Sequence, residues 1–264
     1  MALMVGCMSA SAQKIDKNEL KQLQVFLSQP GEKSATNAEA LKISDVKSPA
    51  TWEGVTIANG HVTAIEWADK HLAGTLDLSG FDALTKVNVS RNALTAVTFD
   101  GCAALNRIDA QRNKIKEVNF NGCKGLQTLN IYKNRLTEIS LDGMPLLETV
   151  NISNNYLVAL DVANSSTLKT LNCQGNHLET LKVEYCTNLK NLYCGYNKLT
   201  GLTLVGVDNL QNLNVDDNEI SQLIVSNLPA LSTFICSDNN MQSLAMRQCP
   251  VLLDLVCSYN NLTS

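Results

Sequence analysis

The chain has 264 residues, 45% of them hydrophobic, and a formal net charge of −4. That content can bury a long core, whereas the acidic balance and the lack of a basic run argue against nucleic acid or an anionic membrane surface as partner. No stretch approaches the roughly 18 consecutive apolar residues that a membrane-spanning helix needs.

Residues 1–12 read as the remnant of an export signal, with an apolar run leading to Ala10-Ser11-Ala12 and cleavage before Gln13. The alternative is a lipid anchor on Cys7, because Val5-Gly6-Cys7 resembles the end of a bacterial lipobox, with Met4 where leucine is usual. Both readings take the chain out of the cytoplasm, to the cell surface, the periplasm or the medium.

Residues 13–83 read as an N-terminal cap. Asp16 with Glu19 and Thr36 with Glu39 have the spacing of capping boxes, which mark helix starts. Leu20, Leu23, Phe26 and Leu27 form one apolar stripe that Pro30-Gly31 terminates. Such a stripe serves as a lid on whatever core follows. Trp52, Val55, Ile57, Val62, Ile65 and Trp67 then alternate around Asn59-Gly60, the signal of a tight hairpin. Leu72 to Phe81 reads as an irregular first repeat, one residue longer than those after it.

From residue 84 to 264 one column organises the chain. Asparagine recurs every 21 residues, at Asn92, Asn113, Asn134, Asn155, Asn176, Asn197, Asn218, Asn239 and Asn260. Apolar residues stand eight, five and three positions before each asparagine and two, five and seven after it, as in Leu126, Leu129, Ile131, Asn134, Leu136, Ile139 and Leu141. This is the leucine-rich-repeat signature, and the expected fold is a curved, mainly β solenoid of about nine stacked units with parallel strands. One unit cannot bury its own apolar side, so its neighbours must. The asparagine amide is expected to satisfy backbone groups stranded where the chain turns inward after each strand. Leu94, Val97 and Phe99, like Leu178, Leu181 and Val183, repeat the apolar phrase, so a second short strand is expected in each unit. The last unit is incomplete at Ser264, and an open edge near Leu255 and Leu262 invites strand pairing.

These short repeats resemble those of bacterial internalin-type leucine-rich-repeat proteins, above all the subgroup with a cysteine ladder. There cysteine takes the place three before the asparagine, as Cys173, Cys194, Cys236 and Cys257 do here. Val89, Ala110, Ile131, Ile152 and Val215 leave the ladder partial. The resemblance covers residues 84–264 and implies surface-exposed adhesion or recognition, with a ligand that differs among members. The stretch from Trp52 to Val62 looks like the entry cap of many leucine-rich-repeat proteins, and the Ser11-Ala12-Gln13 leader end resembles Bacteroidetes-type secreted proteins.

Nine cysteines in an exported chain would ordinarily indicate disulfides. Four of these, however, stand three before the asparagine, and Cys102, Cys123, Cys186 and Cys249 stand ten after it. Both columns point into the core, so free buried thiols are expected. Same-column pairs such as Cys173–Cys194 and Cys236–Cys257 lie about 4.8 Å apart, one strand spacing, which leaves disulfides as the alternative. No C-x-x-C spacing suggests zinc.

The positions four, two and one before each asparagine are expected to face outward on the concave strand face. They run from Arg91, Arg112 and Lys133 at one end to Asp216, Asp217 and Asp238 near the other. Tyr132, Tyr193, Tyr196 and Ile235 interrupt this polar surface and are the candidate ligand contacts, together with the three aspartates. The aspartates read as a solvated acidic patch, with hard-cation binding as the alternative. The outward asparagines, such as Asn130 and Asn151, read as a stacked amide ladder, with sugar recognition as the alternative. No nucleophile, metal or phosphate-binding motif is present, and no cofactor or catalytic residue is expected. The expected function is an exported binding module for a protein or glycan, the alternative an assembly module that self-associates through its C-terminal edge or belongs to a longer protein.

Overall fold

The computed structural model describes residues 15–263; the export segment over 1–12, with Cys7 and the cleavage point before Gln13, lies outside them. Among the described residues no helix is long and apolar enough to cross a membrane.

Two helices, Lys17–Ser28 and Asn37–Ala40, open the structure. Asp16 caps the first by accepting from the N–H groups of Asn18 and Glu19. Glu19 serves the sheet instead of closing the expected box. Its buried carboxylate accepts from the Val62 N–H at 2.8 Å and bonds the His61 ring at 3.0 Å. Thr36 caps the second helix, and Glu39 turns back to the Ala35 N–H. The apolar stripe lies over the first repeats as a lid, with Phe26 stacked on the buried Trp67 at 5.9 Å.

The lid also closes a sheet edge with side-chain amides. Gln29 donates to the Thr75 carbonyl and accepts from the Thr75 N–H, both at 2.8 Å, and Asn37 does the same for Ala73. Two primary amides thus stand in for a missing neighbouring strand.

Val55–Ala58 and His61–Glu66 form the expected hairpin, with positive φ at both Asn59 and Gly60 as a type I′ turn requires. The hairpin begins an eleven-stranded sheet, in which nine parallel strands of three residues each follow, from Lys86–Asn88 to Asp254–Val256. Their central residues, Val87, Ile108, Leu129, Val150, Leu171, Leu192, Leu213, Phe234 and Leu255, align without a slip. The fixed 21-residue period dictates that register, since a one-residue shift would turn every leucine outward.

The opposite side is less regular than expected. Strands form three separate small sheets there: Ala73–Asp77 with Ala93–Thr98 and Glu117–Asn119, Ala159–Asp161 with Thr180–Lys182, and Gln222–Ser226 with Ser243–Arg247. The segments 138–142 and 201–205 keep their apolar residues but are not strands. In the first, Ser140 and Asp142 bond each other and compete with the ladder. In the second, glycines at 201 and 206 flank the stretch and weaken its extended conformation.

One core runs through the stack from Ile15 to Met241. The eight described cysteines are free thiols. Those of the second column act as donors: the Cys102, Cys123 and Cys186 thiols reach the carbonyls of Leu78, Phe99 and Val162 at 3.0 to 3.2 Å. Burial pushes the Cys102 and Cys173 thiols up to about 12, which keeps them protonated and unreactive.

The asparagine column binds successive units together. Asn155 donates to the carbonyls of Ile131 and Ile152 and accepts from the Leu136 N–H. Asn134, Asn176, Asn197, Asn218 and Asn239 repeat this set on their own units. Asn92 makes it with the cap, donating to the Trp67 carbonyl and accepting from Leu72.

Replacing Asn155 by leucine strands three backbone groups in the core, so Asn155→Leu is expected to destabilise the protein by at least about 2 kcal/mol in urea unfolding. At the cap, the Glu19 hydrogen bond and the charge of the same carboxylate hold His61 above its ordinary 6.5. A raised folded-state value makes this contact fully stabilising below pH 6.5, and the gain is lost as pH climbs through the folded value. The calorimetric midpoint is therefore expected to fall as pH rises above 6.5, and His61→Gln to remove that part of the fall.

Candidate functional site

A three-residue strand ending four positions before the asparagine exposes its first and third residues. The outward columns of the strand itself are therefore six and four before the asparagine, and the exposed residues one before it stand in the turn. Positions two and one before belong to the turn. Ser90, Ser153 and Ser237 of the first turn column are buried. The next column is left-handed throughout, with φ of 48° to 65° at Arg91, Arg112, Lys133, Asn154, Gly175, Tyr196, Asp217, Asp238 and Tyr259. The six-before column was missed, although simple alternation about each central leucine would have found it. It begins with Lys86 and Arg107 and ends with Asp254, so it follows the same basic-to-acidic trend.

The outward asparagines have a structural task. The side-chain oxygens of Asn88, Asn130, Asn151, Asn172 and Asn214 accept from the N–H two residues on, at 2.9 to 3.4 Å, and Asp109 does so at 3.3 Å. These Asx turns steer the chain from the strand into the left-handed residue. Three units abandon the device and place Tyr193, Ile235 and Val256 there.

Those three residues lie close together. Tyr193, Asn214, Ile235 and Val256 are register partners on successive strands. Tyr193 and Ile235 therefore stand about 10 Å apart on either side of Asn214. Tyr196 projects from the turn beside them and is 57% exposed, and Tyr259 is 81% exposed three units further on. Among the predicted contacts, Tyr193, Tyr196, Ile235, Asp216, Asp217 and Asp238 thus share the C-terminal third of the sheet. Tyr132 is elsewhere: its turn follows the Thr128–Asn130 strand, three strands from Tyr193, and its ring packs under the Arg112 guanidinium at 5.5 Å.

Asp216 is the unusual group. Its side chain lies over Gly195, where a Cβ would come within 2.9 Å of the Asn214 side-chain oxygen and closer still to the Asp216 carboxylate. Its Oδ1 is buried without a hydrogen-bond partner. Burial raises its pKa above 3.8, and the charges of Asp217 and Asp238 add to the rise against the lowering effect of the Asn214 side chain. Asp217 and Asp238 themselves are exposed in their turns. Among the described residues no three His, Cys, Asp or Glu side chains are grouped to hold a metal ion.

No family model matches the chain, and no curated protein sequence matches it. Solved structures do. The ectodomain of the Arabidopsis thaliana receptor kinase GASSHO1/SCHENGEN3, in complex with CASPARIAN STRIP INTEGRITY FACTOR 2, superposes with a TM-score of 0.70 at 18% identity, over 92% of this chain and 33% of that one. PEPR1 with AtPEP1 gives 0.68 at 18% identity, over 92% and 42%. The functional domain of InlJ from Listeria monocytogenes, which includes a cysteine ladder, gives 0.50 at 19% identity, over 84% and 61%. The fold is the leucine-rich-repeat solenoid. The chain spans a third of the first of these leucine-rich-repeat structures and well under half of the second.

A carboxyl whose folded-state pKa lies above its unfolded value destabilises the protein once it ionises. Asp216→Asn is therefore expected to raise the thermal midpoint at neutral pH and to leave it nearly unchanged below pH 3.8, measured by circular dichroism at the two conditions.

Proposed function

We propose that the protein is an exported recognition module that holds a protein or peptide segment on the C-terminal third of its long sheet. The observation that carries this reading is the replacement of the turn-forming asparagine by Tyr193, Ile235 and Val256 on three of the last four strands, with Asn214 between the first two. Everywhere else that position serves the fold; here it gives up a hydrogen bond and presents apolar surface. Aromatic side chains supply contact area at a low entropy cost and recur as binding anchors. Asp216, Asp217, Asp238 and Asp254 surround the patch, so the preferred ligand carries lysine or arginine next to an apolar side chain. Two of the similar structures hold partners, CASPARIAN STRIP INTEGRITY FACTOR 2 and AtPEP1 respectively, and this supports a polypeptide ligand. A glycan is less well served, because the outward amide oxygens are engaged in turns. The leader over 1–12 supports a place of action outside the cytoplasm.

The test is selection of peptides from a random displayed library, followed by affinity measurement on Tyr193→Ala/Ile235→Ser. Selected peptides are expected to pair a cationic with an apolar residue and to bind the double variant at least about tenfold more weakly, at an unchanged thermal midpoint. Equal binding to the variant would move the site elsewhere.

A further inference from the structure

On the side opposite the long sheet, the strand Gln222–Ser226 borders a cleft of about 560 Å³ whose other wall is Gly201 to Gly206. In the regular parts of this side, neighbouring units hydrogen-bond; here they part. The direction of the free groups follows from the ladder. Asn227 donates forward to the Arg247 carbonyl at 3.1 Å, so by alternation Ile224 and Ser226 point their N–H and C=O groups back toward the cleft. Across it, the Tyr185 N–H bonds the Val205 carbonyl, which is thereby turned away from the cleft. Among the described residues no hydrogen bond joins 201–206 to 222–226.

Exposed edges are ordinarily protected by charge, proline or a covering group. The N-terminal edge of this side is covered by the amides of Gln29 and Asn37. The other interrupted segment, 138–142, carries Glu138 and Asp142, with Pro145 close behind. The Gln222–Ser226 strand itself is uncharged and proline-free, as is the facing wall over 201–206; Asp208 is the one charged residue that lines the cleft, and Pro229 follows three residues after the strand. Ile224 is 71% exposed and Val205 51%, a large apolar surface at a bare edge.

We infer that this cleft is a second binding site, separate from the long sheet, which takes an extended, uncharged peptide segment of a partner protein as an added strand on Gln222–Ser226. Open N–H and C=O groups in strand spacing specify a polypeptide backbone, and Ile224 and Val205 favour β-branched side chains on it. The site does not depend on Tyr193, Ile235 or the aspartates.

The probe is a blocked pentapeptide alternating threonine and valine, matched to the five residues of the strand. Binding is read by chemical-shift changes at Ile224 and Ser226 and by fluorescence anisotropy. The proposal expects saturable binding that weakens about tenfold or more when alternate peptide amides are N-methylated, since each hydrogen bond to the edge is lost while the side chains remain. Ile224→Pro, which deletes an unbonded N–H, is expected to weaken binding to the same degree at an unchanged melting point, whereas Ile224→Thr and Tyr193→Ala/Ile235→Ser bind as the wild type does. Equal affinity for the N-methylated peptide, or shifts confined to the long sheet, would overturn the proposal. So would concentration-dependent dimerisation abolished by Ile224→Pro, because the occupant would then be a second copy of the chain.

Discussion

The structure depends on one hydrogen-bonded arrangement, the asparagine amide that ties each unit to the one before it. Its two donors hold the carbonyls at the strand exits of both units, and its oxygen holds an N–H of the previous unit. The leucines supply the drive to collapse, but leucine contacts alone would tolerate sliding. A planar amide with fixed partners tolerates none, so the stack keeps register over nine strands. The column also sustains a strained neighbour. The preceding residue is left-handed in every unit, yet only Gly175 is a glycine, and Arg112, Lys133 or Tyr196 would not choose that conformation alone. The cost, about 1 kcal/mol for such a residue, is offset by the surrounding bonds, which leave the chain no other path.

Once the backbone is fixed this firmly, side chains next to it become free to differ. The position four before the asparagine shows the limit of that freedom. Most units use asparagine there for an Asx turn, and the three that do not fall within the last four strands. Asp216 adds a buried, unpaired carboxylate oxygen beside them, an arrangement unfavourable to stability that only Gly195 leaves room for. The lost Asx turns and the unpartnered Asp216 oxygen thus fall in the same part of the long sheet.

The cap and the opposite side show how edges are handled. Gln29 and Asn37 place side-chain amides where a strand would be, and the first-column asparagine Asn92 accepts the cap as if it were another repeat. On the opposite side only the spacing of leucines is maintained, and the ladders break at 138–142, where a serine–aspartate bond competes, and at 201–205, beside glycines at 201 and 206. The gap at Gln222–Ser226 is such a break, left without covering side chains.

The sequence by itself determined the period, the inward leucine and cysteine columns, the role of the asparagines and the hairpin at Asn59-Gly60, because each is a local pattern repeated or a turn with a single steric solution. It also placed Tyr193, Tyr196 and Ile235 among the candidates as exceptions within a polar column. It did not show where each strand ends, so it did not separate the buried turn residues Ser90, Ser153 and Ser237 from the exposed ones that follow them; nor did it show that Glu19 would leave its helix cap to hold Val62, or that Tyr132 would pair with Arg112. Which units form a second strand was equally hidden, since 138–142 and 201–205 carry the same apolar phrase as their neighbours. These points rest on contacts between groups distant in sequence, or on small differences between competing hydrogen bonds, and only the assembled stack decides them.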